Sequence, residues 1–241
     1  MPNRNLPLSG ATIAFDLDGT LVDTAPDLIG TLNTLLDQEG LTPFPLADAR
    51  PFIGRGARWI IERGVEAAGA PLPPDRIPAL FDRFIARYLS RIADESRPFP
   101  GCEAALDALK AQGARLVVCT NKRTDLSVTL LKALGMARRF EAIIGADATP
   151  AIKPDARHLQ AAVEAVGGDM TRSIMVGDAA TDAGAARNAG AHLILVSFGY
   201  TETPAAELHP DILIDHFDQL PAACASPARH HAGGPARRRR R

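Results

Sequence analysis

From residue 94 onward, short β-branched or apolar runs alternate with stretches of helical spacing. The runs are Ala114 to Thr120, Ala142 to Gly145, Ser173 to Gly177, Leu193 to Phe198 and Ile212 to Ile214. Their length and composition predict strands. Between them Leu126, Leu130 and Leu134, and again Leu159, Ala162, Val163 and Val166, recur at helical intervals that put apolar side chains on one face. Strand and helix in alternation predict an α/β fold: a parallel sheet with helices on both faces.

One further strand of the same kind, Thr12 to Phe15, stands apart near the amino terminus. The interval after it, 24 to 93, has helical patterns (Leu28, Leu32, Leu35, Leu36; Trp59, Ile60; Leu80, Phe81, Phe84, Ile85, Tyr88) punctuated by Pro43, Pro45, Pro51 and Pro71 to Pro74. It offers no convincing strand. The expected organisation is therefore a core made of 1–23 plus 94–224, with 24–93 inserted as a helical cap domain. An insertion after the first strand lies over the carboxyl ends of the sheet, where open α/β sheets bind ligands. It is placed to be a lid.

Composition narrows the picture. A hydrophobic fraction of 46% and a charged fraction of 23% belong to an ordinary folded chain. No run of roughly 18 apolar residues is present and the first nine residues lack a signal-peptide core, so a cytoplasmic protein with no membrane partner is expected. Cys102, Cys119 and Cys224 are widely spaced and form no metal or redox pair, which predicts reduced, structural thiols. The formal charge of −1 hides six arginines in the segment 225–241, without which the first 224 residues carry −7. That segment has the composition of a disordered basic tail, and the acidic body argues against a nucleic-acid partner. Nothing in the composition chooses between a monomer and a homodimer.

The chemistry sits at the strand ends. The first strand runs into Asp16-Leu17-Asp18-Gly19-Thr20, the second into Thr120-Asn121-Lys122, and the fourth into Gly177-Asp178 with Asp182 after it; Lys153 follows the third in Lys153-Pro154-Asp155. Each piece alone has an ordinary explanation: Asp-Gly marks turns, and Lys-Pro-Asp reads as a helix start with Asp155 at the cap. Together, a parallel sheet brings four carboxylates and a lysine to one edge. Such a cluster costs several kcal/mol in repulsion and desolvation unless a cation offsets it. A hard divalent ion is implied, and Mg²⁺ suits carboxylates, water and a substrate phosphate.

These four segments, DLDGT at 16–20, TNK at 120–122, KPD at 153–155 and GDAATD at 177–182, resemble in order and spacing the motifs of the haloacid dehalogenase-like phosphatases. The resemblance spans nearly the whole chain outside the tail. The longer stretch from Asp16 to Leu28 and Phe99-Pro100-Gly101 look most like phosphoglycolate phosphatases. The resemblance implies a Rossmann-like core, a small phosphate ester as substrate and Mg²⁺ as cofactor. It makes Asp16 the nucleophile that forms an aspartyl-phosphate, and Asp18 the acid that protonates the leaving alkoxide and then the base for the hydrolytic water. Thr120 and Asn121 bind phosphate oxygens, and Lys153 balances charge on Asp16 and the phosphoryl group. Asp16, the Asp18 carbonyl and Asp178 ligate the metal, while Asp182 orients metal-bound water.

Within the insertion, Phe52 to Arg58 form a glycine-flanked turn with two arginines. In the enzymes it resembles, such a loop reaches the substrate, so Arg55 or Arg58 is expected to pair with the carboxylate of 2-phosphoglycolate. Other small phosphate esters, pyrophosphate and phosphosugar mutation of the β-phosphoglucomutase kind share the same machinery. A phosphoacceptor receiver module also gathers Asp, Thr and Lys around Mg²⁺, but it lacks a cap.

Overall fold

The computed structural model describes residues 6–69, 73 and 75–226. Eight strands and nine α-helices alternate along them. The strands are β1 (Thr12–Phe15), β2 (Val22–Asp23), β3 (Arg97–Pro98), β4 (Arg115–Cys119), β5 (Ala142–Ile144), β6 (Ser173–Gly177), β7 (His192–Val196) and β8 (Ile212–Ile214). The helices are α1 (Ala25–Gln38), α2 (Leu46–Ala49), α3 (Ala57–Ala67), α4 (Arg76–Ser90), α5 (Cys102–Ala111), α6 (Thr124–Ala133), α7 (Ala156–Ala165), α8 (Ala180–Ala189) and α9 (Leu220–Ala225). Of the tail expected from 225 onward, Ala225 closes α9 and Ser226 follows it; the remainder lies outside the described residues.

Six strands form one sheet in the order β5-β4-β1-β6-β7-β8, parallel throughout. Successive residues on each strand feed opposite faces. Ile13, Phe15, Leu116, Val118, Ile174, Val176, Ile194 and Val196 join the packing on the α5, α6 and α9 side. Ala14, Val117, Cys119, Met175, Leu193 and Leu195 pack against Leu159 and Val163 of α7 and Ala183 and Ala186 of α8. Both faces are covered, which is why the strands read as apolar runs. The strand order reverses at β1, between β4 and β6, and the crevice at that point is where a doubly wound sheet takes its ligand.

Between β1 and β4, helices α1, α3 and α4 pack on one another. Leu28, Leu32, Leu35 and Leu36 of α1 are buried with Ile60 and Ile61 of α3 and Leu80, Phe84 and Tyr88 of α4. Gly64 has no room for a side chain, since a Cβ there would stand 2.8 Å from Leu32 Cδ1. Both junctions of this helical unit pass through a short antiparallel ribbon in which Val22 pairs with Pro98 and Asp23 with Arg97. The hydrophobic pattern did not foresee the ribbon, because two residues per strand are too few to show a period. Arg50, from the turn after α2, closes over it with an ion pair to Asp23 at 3.2 Å.

Candidate active site

Asp16 follows β1 directly, its amide donating to Val176 O as though the strand continued. The chain then tightens: the amides of Leu21 and Val22 both donate to Leu17 O, and Gly19 N donates to Val22 O. Gly19 has φ +84°, and a Cβ on it would meet Asp178 Oδ2 at 2.6 Å. This turn carries Thr20 under the sheet edge, where its hydroxyl donates to Asp178 Oδ1 at 2.9 Å. Tyr200 N donates to the other oxygen of Asp178 at 2.7 Å.

Lys153, in the loop before α7, is buried and reaches both Asp16 Oδ1 (2.8 Å) and Asp182 Oδ1 (2.6 Å). Its backbone is fixed as firmly, with Lys153 N donating to Asn121 Oδ1 and His158 Nδ1. Asp155 caps α7 by accepting from Arg157 N at 2.9 Å. The Lys-Pro-Asp segment therefore serves both as a helix start and as the mount for the lysine. Asp182 accepts the amides of Asp178 and Ala179 on Oδ2, which leaves both its oxygens engaged.

One carboxylate oxygen each of Asp16, Asp178 and Asp182 lies within 4.8 Å of the others, and all three residues are buried. The charge pattern is uneven. Burial pushes the Asp16 carboxyl up to about 6, with Lys153 opposing the shift and Asp182 adding to it. Burial, then Asp182 and Asp16, push Asp178 up to about 8. Burial acts against the charge on Lys153, but Asp16 and Asp182 outweigh it and hold the ammonium well above the usual amine range. Hard oxygen donors under mutual repulsion fit a divalent cation such as Mg²⁺. Asp16 and Asp178 keep more acceptor capacity for it than Asp182: each oxygen of Asp178 accepts one hydrogen bond, whereas Asp182 Oδ2 takes two amides and its Oδ1 the Lys153 ammonium.

Thr120 is buried at the end of β4, and its hydroxyl oxygen accepts Lys122 N at 3.2 Å. Asn121 is an anchor: its side-chain amide donates to Lys153 O at 3.1 Å and to Gly54 O at 3.2 Å. Asp18 sits elsewhere than among the carboxylates. Both of its oxygens accept from Lys122 Nζ, at 3.1 and 3.2 Å. The sequence quoted Lys122 only as part of a motif; its role was hidden because its partner lies 104 positions away.

The two arginines of the cap turn stand off from the catalytic cavity. Arg58 is exposed on α3 and pairs with Glu62 one helical turn on, at 2.8 Å. Arg55 lies over the Trp59 ring, 4.8 Å from its centroid, and lines a separate groove with Thr181 and Thr201. The cavity over Asp16 and Asp18 is instead walled by Leu28, Ile53, Ile60, Phe81, Phe84 and Tyr88, and floored by Thr120, Asn121 and Lys122. No helix among the described residues is long and apolar enough to cross a membrane.

Comparison with known proteins agrees with this geometry. Residues 13–196 match the family model described as haloacid dehalogenase-like hydrolase. The chain is 60% identical over 217 residues to the phosphoglycolate phosphatase of Caulobacter vibrioides, covering 90% of this chain and 92% of that one. It is 48% identical over 217 residues to the phosphoglycolate phosphatase of Agrobacterium fabrum, covering 90% and 93%. A crystal structure of a predicted phosphoglycolate phosphatase from Haemophilus somnus superposes with a TM-score of 0.84 at 30% identity, covering 90% of this chain and 98% of the other.

Proposed function

The chain belongs to the haloacid dehalogenase-like hydrolase family, and we propose that it is a Mg²⁺-dependent phosphatase that converts 2-phosphoglycolate to glycolate through an aspartyl-phosphate on Asp16. The observation that carries the mechanism is the Lys153 ammonium bridging Asp16 and Asp182 beside Asp178. Lys153 takes Asp16 Oδ1, leaving Oδ2 to attack phosphorus in line with the departing alkoxide. The new bond is Asp16 O–P, and the bond broken joins phosphorus to the bridging oxygen. Asp18, entering this step protonated, delivers its proton to that oxygen, and the alcohol leaves as glycolate. Asp18 then takes a proton from a water that attacks the aspartyl-phosphate, which restores Asp16 and releases inorganic phosphate.

Asp16, Asp178 and the Asp18 carbonyl would hold Mg²⁺, which supplies positive charge against the phosphoryl oxygens when bound. The Thr120 hydroxyl and the Asn121 backbone amide would donate to those oxygens from the β4 end. Asp182 acts through Lys153, fixing its ammonium and capping the turn that carries Asp178.

The preference for a small ester rests on the relatives named phosphoglycolate phosphatase and on a cavity of about 60 Å³ under the cap. That is well below the roughly 300–1,000 Å³ of pockets that hold drug-sized ligands. The test is phosphate release with Mg²⁺ from 2-phosphoglycolate, glucose phosphates, nucleoside monophosphates and pyrophosphate. We expect kcat/KM for phosphoglycolate to exceed the others by about 100-fold or more, the scale set by one buried charge-assisted contact. Asp16→Asn should retain less than roughly one part in a thousand of the activity. Unselective turnover across the panel removes the substrate assignment; an active Asp16→Asn removes the mechanism.

A further inference from the structure

We propose that Lys122 and Tyr88 form the subsite that recognises the carboxylate of the substrate, so that the selecting cation stands on the core and not on the cap turn. The inference rests on the phosphoglycolate reading and goes further by naming the residues that make the choice.

Two cationic side chains line the catalytic cavity among the described residues besides those inside the carboxylate cluster: Lys122 and Arg123. Arg123 is largely exposed and forked onto Asp125, at 3.1 and 2.9 Å. Lys122 is buried. Its ammonium meets the two oxygens of Asp18 and lies 4.6 Å from the centroid of the Tyr88 ring. An ammonium has three N–H donors, so holding Asp18 does not exhaust it. Burial works against its charge, but the Asp18 carboxylate outweighs it, and Lys122 remains a cation.

Tyr88 supplies the second observation. It lies on α4, wholly buried, in the wall of the same cavity, and its hydroxyl makes no hydrogen bond of ordinary geometry, with the Lys122 ammonium beside it. Buried polar groups are nearly always paired in folded proteins, and one left open in a site can bond a ligand or a water there. The rest of the wall, with Leu28, Ile60, Phe81 and Phe84, is apolar. A carboxylate entering such a wall loses its water and must find a cation and a donor there. Lys122 and Tyr88 are that pair.

The position also fits the chemistry. Asp18 has to reach the bridging oxygen of the ester, and in phosphoglycolate only a methylene separates that oxygen from the carboxylate. A cation held on Asp18 is therefore within the span of the substrate. Arg55 and Arg58 do not line the cavity.

The experiment compares 2-phosphoglycolate with 2-hydroxyethyl phosphate, an ester of the same length with an uncharged hydroxyl in place of the carboxylate, for the intact enzyme with Mg²⁺ and for Lys122→Met, Tyr88→Phe and the double variant Arg55→Ala/Arg58→Ala. The unmodified enzyme should prefer phosphoglycolate; if it does not, the substrate reading fails before any variant is considered, and this proposal with it. Lys122→Met disturbs Asp18 as well, so both esters should slow, but phosphoglycolate by about 100-fold more, collapsing the preference. Tyr88→Phe keeps the ring and removes only the hydroxyl; it should narrow the preference by about 3- to 10-fold, chiefly through KM. Equal slowing of the two esters in Lys122→Met would mean that the lysine acts only on Asp18, and overturns the proposal. So would an unchanged preference in Tyr88→Phe, or a preference lost in the arginine double variant.

Discussion

Gly19 shows how tightly the chain is drawn around Asp178. Its φ of +84° is open to glycine at little cost, and the space a Cβ would take is filled by Asp178 Oδ2 at 2.6 Å and the Tyr200 ring at 2.8 Å. Gly19→Ala should displace Asp178 more than it unfolds the protein. The expected result is a folded variant whose Mg²⁺ dependence shifts to higher concentration by tenfold or so, read from phosphate release against metal concentration. The carboxylates themselves predict a pH effect in the metal-free protein. The folded Asp178 carboxyl titrates near 8, against an ordinary value of 3.8. Between those values the folded state holds a proton that the unfolded state has released, so stability falls as pH rises from about 4 to about 8. Added Mg²⁺ should flatten or reverse the slope by favouring the ionised carboxylate. Denaturation in chelator and in Mg²⁺ across that range checks it; a metal-free protein that gains stability with rising pH contradicts the assignment.

At the scale of elements, the helices of the cap carry their evidence in sequence and the connections do not. The 28, 32, 35, 36 pattern fixes the buried face of α1, and Leu80, Phe84 and Tyr88 do the same for α4. Phe84 is fully buried and stacks on Tyr88 with ring centroids 6.1 Å apart. Phe84→Ala should cost about 3–5 kcal/mol, lowering the melting temperature by roughly 6–20 °C in a chain of this size. A shift under a few degrees would show that the cap collapses around the gap. The β2–β3 ribbon, the short α2 and the Asn121–Gly54 contact were illegible for a common reason. Each depends on residues that meet only after the sheet has formed, and none has a period of its own. The strand ends are the opposite case, because topology alone sends Asp16, Thr120 and Asp178 to one edge.

For the molecule as a whole, the sequence sent four aspartates and Lys153 to one sheet edge, and the structure gathers Asp16, Asp178, Asp182 and Lys153 there while Asp18 turns to Lys122. It could not show direction. The motif spacing says that Lys122 follows Asn121, but only the fold turns it onto Asp18; the Gly54–Gly56 turn looks like a substrate loop, but Arg58 pairs with Glu62 one helical turn on. Tyr200 was equally hidden. From the loop after β7 its amide holds Asp178, its hydroxyl bonds Asp23 at the ribbon and accepts Ala25 N, and the Arg50 guanidinium lies 5.2 Å from its ring centroid. One side chain thus ties the acidic cluster to the joint of the cap.

That joint sets the terms on which the cap can be exchanged. Because Val22 stands opposite Pro98 and Asp23 opposite Arg97, the insertion leaves the core and rejoins it at neighbouring points. A foreign cap could be spliced between them without rethreading the sheet. Lys122 lies on the core side of the splice and Tyr88 on the cap side, so substrate choice is divided across it. A chimera that moves this cap onto a related core with no lysine at the position of Lys122 should fold and turn over phosphate esters, yet show no preference for the carboxylate-bearing one. Recovery of the preference when that lysine is added to the recipient core would mark selectivity as a property of the seam between two modules.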